Sequence, residues 1–162
     1  MSTETNNTTA SSTPATKLAV RAQYIRDLSF ENPNPLAIFT SESEVQPDIS
    51  VNVQASAQHI SDRNFEVVLD IKVDAKRVQD QMFIAELSYA AVVTVADDVA
   101  ENDVNALVMV EVPTLLFPFA RNIIADATRE GGYPPLLLAP VDFVALFAQQ
   151  VVAEDQKPVV MN

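Results

Sequence analysis

Apolar and polar residues alternate over four stretches of the first hundred positions, and the spacing then changes. Leu18, Val20, Ala22 and Tyr24 recur with period two, as do Ile49, Val51, Val53 and Ala55. The clearest run covers residues 65–75. Phe65, Val67, Leu69, Ile71 and Val73 share one side, and Glu66, Asp70, Lys72 and Asp74 share the other. Residues 82–95 alternate too, but Phe83, Ala85, Leu87, Tyr89 and Ala91 interleave with a second, largely apolar set that includes Ile84, Ala90 and Val92. A period of two sends successive side chains to opposite faces of a sheet, so the pattern predicts four strands. The last strand is apolar on both faces. One face can serve the domain's own core, and the other needs a helix or a neighbouring subunit to cover it. Between the first two strands, Pro33 and Pro35 break any pairing, and an irregular excursion is expected to about Asp48.

After the acidic run "DDVAENDV" the period becomes helical. Leu116, Phe119, Ala120, Ile123 and Ala127 fall at i, i+3, i+4, i+7 and i+11. Pro118 is expected to bend this helix or to join it to a shorter one over 105–112. Gly131 is placed to stop it in a positive-φ conformation. Asp142 is placed to cap a last helix with Phe143, Leu146, Phe147 and Val151 on its buried stripe. Strands followed by helices predict an α+β domain, a four-stranded antiparallel sheet with helices packed on one side. The domain is expected over residues 17–152. A disordered polar tail, 1–16, precedes it and a flexible tail, 153–162, follows.

Charge narrows the possible partners. The 162 residues include 22 acidic and 10 basic ones, for a net charge of −12. Such a surface argues against nucleic acid and anionic membranes, which attract Lys and Arg. It suits a basic protein partner. The first residues lack the basic and apolar regions of a signal peptide, and no run of about 18 apolar residues predicts a spanning helix. The absence of cysteine suits a reducing cytoplasm and removes thiolate chemistry.

Candidate chemistry is sparse. The two glycines, Gly131 and Gly132, are adjacent, whereas phosphate-cradling loops need spaced glycines, so no nucleotide cofactor is expected. His59 is alone and reads as exposed or hydrogen-bonded. The acidic runs Asp97–Asp98 and Glu101–Asp103 lack the alternating ligands of a calcium loop and read as a solvated turn. No metal site, cofactor or catalytic group is expected, and the chain does not read as an enzyme.

What stands out is an apolar connection, "GGYPPLLLAP", stiffened by Pro134, Pro135 and Pro140. It either packs down on the core or walls a groove for something extended and apolar. The longer stretch "LLFPFARNIIADATREGGYPPLLLAPVDFVALF" closely resembles the C-terminal helices and connecting loop of the SecB family of bacterial protein-export chaperones. "RDLSFENPNP", "EVVLDIKV" and "MFIAELSYAAVVTV" resemble that family's first strand and central hairpin. The resemblance covers roughly residues 18–150. Val144 and the end "KPVVMN" depart from the family pattern.

The resemblance implies an ATP-independent cytoplasmic holding chaperone. It would be a homotetramer built as a dimer of dimers, binding unfolded preproteins and delivering them to the SecA motor ATPase. Asp27, Glu31, Ile84 and Glu86 match the family's motor-contact positions, and Ala85, Leu87 and Tyr89 match its assembly positions. Phe39, Phe83, Tyr133, Leu136, Leu138 and Phe143 are the candidate lining of a preprotein groove. The alternative reading keeps the fold but makes it a dedicated partner chaperone, as for an antitoxin, or a carrier of apolar ligands.

Overall fold

The computed structural model describes residues 16–42 and 44–155. The two predicted tails fall almost entirely outside these residues. The chain forms β1 (Leu18–Glu31), α1 (Pro35–Thr40), β2 (Asp48–Ser61), β3 (Asn64–Arg77) and β4 (Asp80–Val95). It continues through α2 (Glu101–Ala106), a π turn (Leu107–Glu111), α3 (Val112–Glu130) and α4 (Phe143–Asp155). The strands make one antiparallel sheet in the order β1-β4-β3-β2, as the alternation predicts. The connection carrying α1 takes the chain from one sheet edge to the other.

Two departures from expectation lie in this first half. β1 runs on to Glu31, through register shifts at Val20/Ala22 and Ile25/Asp27, so its period-two pattern is broken without ending the strand. Pro35 starts the short helix α1 within the span expected to be irregular.

Cross-strand partners share a face, so the register sorts the side chains. Val67, Leu69, Ile71 and Val73 of β3 lie beside Ala91, Tyr89, Leu87 and Ala85 of β4 on the side that carries the helices. All eight are buried. Over them lie Val104, Leu107, Val108, Val112, Leu116, Ala120 and Ile124 from the helix layer. Each large apolar side chain buried in this way contributes about 1.5–3 kcal/mol. Arg63 fastens the layers at one end. Its guanidinium reaches Glu101 at 2.7 Å and the carbonyls of Ala96 and Val99 at 2.8 and 2.5 Å.

The helix differs from its expected form. Residues Glu101–Glu130 are one continuous helical run with no break at Pro118. The irregularity is the π turn, where the Val112 N–H reaches back to the Leu107 carbonyl. A proline clashes with the carbonyl four residues before it, and the widened turn makes room just ahead of Pro113. This run is long and apolar enough to span a membrane by length and composition, although no unbroken apolar stretch signals it in the sequence. The sheet accounts for one side of that apolarity. The buried stripe is Leu116, Ala120, Ile124 and Thr128, whereas Phe119 stays 51% exposed and Ile123 and Ala127 are half-buried. The helix carries two apolar stripes, and periodicity alone does not say which one the sheet takes.

Candidate functional site

The end of α3 sets up the loop. The N–H groups of Gly132 and Tyr133 bond to the carbonyls of Arg129 and Thr128, closing the helix in a Schellman turn. The residue with positive φ is Gly132, at 90°, and not Gly131, whose φ is −71°. Gly131 is required for a different reason: the Phe30 ring packs where its side chain would stand. At Gly132 a Cβ would lie 2.9 Å from the Phe39 ring.

The loop is then pinned at two points. Tyr133 is buried, its hydroxyl 2.9 Å from Asn32 Oδ1 and 3.0 Å from the Met82 carbonyl, two acceptors for one proton. Burial raises its phenol above the ordinary value. Thr128 is fully buried and donates to the carbonyls of Ile124 and Ala125 while its Oγ1 accepts the Leu136 N–H at 2.9 Å. A lone buried threonine thus fixes where the leucines of the loop begin.

Beyond that anchor the loop faces β2 across an open groove of about 530 Å3. Its walls are Leu136, Leu137, Leu138, Ala139, Pro140, Val141 and Leu146 on one side and Ile49, Val51 and Val53 on the other. Leu137 is 67% and Val51 45% exposed. β2 is an edge strand, so apart from the Ala55 carbonyl, which accepts from Gln150 Nε2 at 3.3 Å, its outer N–H and C=O groups face no strand among the described residues. At the glycine end of the loop, Phe39 and Phe83 flank Tyr133 at ring-centroid distances of 5.1 and 4.8 Å, and Phe30 stacks on Phe83 at 5.5 Å.

Of the residues named for the groove, Phe39, Phe83 and Tyr133 meet in this aromatic cluster, and Leu136 and Leu138 line the groove itself. Phe143 does not line it. It is buried against Phe117, with ring centroids 6.0 Å apart. Val151, expected on the buried stripe of α4, is exposed, while Asp142 caps that helix through Ala145 N at 3.0 Å. Sequence reasoning missed Val51 and Leu137. The signal for the first was present in the β2 alternation, but not its position opposite the loop.

The other sheet face is chemically different. Asp27 pairs with Ser88, Ser29 with Glu86 and Glu31 with Ile84, which sets Asp27, Glu31, Ile84 and Glu86 on the helix-free side. A shallow depression of about 300 Å3 there is lined by Asp27, Asn52, Gln54, Asp70, Lys72, Glu86 and Ser88. Lys72 pairs with Glu86, and that hydrogen bond raises the lysine above its ordinary range. Tyr24 bonds to Glu66 at 2.5 Å, and Arg26 lies 3.4 Å from the same carboxylate. Neighbouring strands, rather than a further layer, bury Ala90 on this face. Ala85, Leu87 and Tyr89 point the opposite way and are buried beneath the helix layer, with the Tyr89 hydroxyl 3.2 Å from Gln23 Oε1. His59 is exposed and sits 2.8 Å from the Asp62 carbonyl.

A family model described as preprotein translocase subunit SecB matches residues 11–154. The chain belongs to the SecB family. The protein-export protein SecB of Rhodospirillum rubrum is 41% identical over 162 residues, spanning 100% of this chain and 98% of its own. That of Bradyrhizobium diazoefficiens is 44% identical over 146 residues, 90% of this chain and 89% of its own. That of Rhodospirillum centenum is 45% identical over 136 residues, 83% of this chain and 80% of its own. Among solved structures, a SecB-like chaperone of Mycobacterium tuberculosis, in complex with an antitoxin peptide, aligns with a TM-score of 0.56. Its identity is 16%, over 77% of this chain and 91% of that one. That likeness is one of fold. The SecB-type sheet and helices are what bring the GGYPPLLLAP loop against the edge of β2.

Proposed function

We propose that this SecB-family chain is an ATP-independent cytoplasmic chaperone that holds unfolded preproteins in an export-competent state. One observation carries the reading: an apolar groove stays open beside the edge of β2, which pairs with no further strand among the described residues. An unfolded segment laid there gains about 1.5–3 kcal/mol for each large apolar side chain it buries fully. The strand edge adds backbone hydrogen bonds that select no sequence. Neither contribution needs a reaction or a nucleotide, so the reading assigns no enzymatic step.

The reading extends to two protein contacts. The helix-free face, with Asp27, Glu31 and Glu86 around Ile84, suits a basic surface on the SecA motor. Like-signed carboxylates speed encounter with a cationic partner and lose that advantage in salt. The outward stripe of Leu115 and Phe119 on α3 suits burial against another copy in a homotetramer, a dimer of dimers. In this reading Ala85, Leu87 and Tyr89 act on assembly from below, by setting the seat of that helix. Relatives named for protein export match most of the chain, which favours the export role over a dedicated antitoxin partner.

The test is refolding of a slow-folding preprotein diluted from denaturant, without ATP. Excess chaperone is expected to slow refolding and suppress aggregation. Unchanged refolding at excess chaperone contradicts the reading.

A further inference from the structure

Asn32 follows β1 and opens the connection that crosses to β2, so the groove wall supplied by β2 begins at this residue. Its side chain also holds the start of the opposite wall. Nδ2 donates to the Gly131 carbonyl at 3.2 Å, and Oδ1 accepts from the Tyr133 hydroxyl at 2.9 Å. Phe30, two residues earlier, fills the space over Gly131, and Phe39 of α1 covers Gly132.

Little else ties the loop to the strands. Pro134 and Pro135 have no N–H to give, and the Leu136 N–H goes to Thr128 in the helix layer. Among the described residues, three hydrogen bonds join residues 131–141 to the strands and their connections. Two are those at Asn32, and the third runs from Tyr133 to the Met82 carbonyl. The Tyr133 hydroxyl has one proton for two acceptors. Without the Asn32 amide it keeps Met82, so no buried donor is stranded. What goes is the tie between the two walls. Asn32 therefore contributes more to where the loop stands than to whether the chain folds.

We propose that Asn32 is a positioning residue, a latch that holds the loop toward the strands, so that a segment entering the groove works against it. The proposal deepens the reading that this groove holds non-native polypeptide, and rests on it. A protein whose open state is only partly populated binds more weakly by that fraction. Cutting the latch thus raises affinity, whereas a purely structural defect lowers it.

Asn32→Ala is expected to bind a neutral unfolded polypeptide about three- to tenfold tighter in titration calorimetry, as the loss of one or two ordinary hydrogen bonds allows. The melting temperature should change little. Unchanged or weaker binding overturns the proposal. Tyr133→Phe cuts the shared bond from its other end and should act in the same direction. The two variants remove one bond in common, so the double variant should gain less than the product of the single gains. A full product overturns the latch. The position of the loop is read without cargo. The chain has no cysteine, so Leu137→Cys carries a single environment-sensitive label at a position 67% exposed. Asn32→Ala should shift its emission, and identical emission overturns the proposal. Leu137→Asp separates the latch from the groove reading. If it weakens capture while Asn32→Ala changes nothing, the latch fails and the groove stands. If it leaves capture unaltered while Asn32→Ala tightens it, the groove reading fails and Asn32 remains the latch of a binding surface elsewhere on the loop.

Discussion

The two faces of the sheet are made from alternate residues of the same strands, yet they offer opposite chemistry. On β4, Phe83, Ala85, Leu87 and Tyr89 turn inward beneath the helices, while Ile84, Glu86 and Ser88 turn to the helix-free side. The helix side ends at the β2 edge in an apolar groove. The other side presents the carboxylates of Asp27, Asp70 and Glu86, partly balanced by Lys72. The contrast separates two kinds of recognition. Apolar burial is non-directional and tolerant of sequence, and it suits a ligand that has no fixed structure. Charge complementarity acts at a distance, weakens in salt and suits one folded partner.

The largest expected effect breaks the apolar half alone. Leu137→Asp with Val51→Asp puts two charges into the groove at exposed positions. It removes two contacts worth about 1.5–3 kcal/mol each when fully buried. Cargo affinity measured by titration calorimetry should fall roughly a hundredfold, with the melting temperature little changed and motor binding intact. A matching loss of motor binding would mean that the two faces are not independent.

A smaller effect is expected at the anchor. Thr128→Val keeps the shape but leaves the Leu136 N–H without its acceptor, at a cost of about 1–3 kcal/mol. Urea unfolding should show that loss, and Thr128→Ser should recover most of it. If valine costs nothing, the loop is held by its prolines and Tyr133 rather than by this hydroxyl.

On the acidic face, Glu86→Lys is expected to weaken motor binding about fivefold at low salt, and less as salt rises. Cargo capture should stay unchanged. Equal loss of both activities would point to misfolding, because the substitution also sets a like charge against Lys72.

The smallest effect concerns pH. Burial raises Tyr133 above the ordinary tyrosine value of about 10, so the folded state holds its proton more tightly than the unfolded chain does. The associated stability is complete below pH 10 and is lost as pH rises through the folded value. Stability should therefore decline above about pH 10, and less so in Tyr133→Phe, which has no phenol to ionise. An identical decline in both proteins would remove Tyr133 as its cause.

The sheet was legible in the sequence because period two leaves little freedom: β3 and β4 appear where Phe65–Val73 and Phe83–Ala91 alternate. The family motif pointed to the loop and its aromatic cluster. Other features required tertiary information. The α3 helix has two apolar stripes, and only the packed sheet distinguishes Ile124 from Phe119. Either glycine could have carried the positive φ, and the Phe30 ring decides why both are needed. Val51 faces the loop only because the chain crosses from the β1 edge to the β2 edge before forming the hairpin.

The central claim is that stretched polypeptide lies against the groove between the loop and β2. A photo-reactive side chain placed at position 137, with a second variant carrying it at Asn52 on the helix-free face, tests this directly. Mixed with an unfolded preprotein without ATP, position 137 should crosslink strongly to the preprotein and position 52 only weakly. Crosslinking from position 52 with none from 137, under conditions where refolding is slowed, would contradict it.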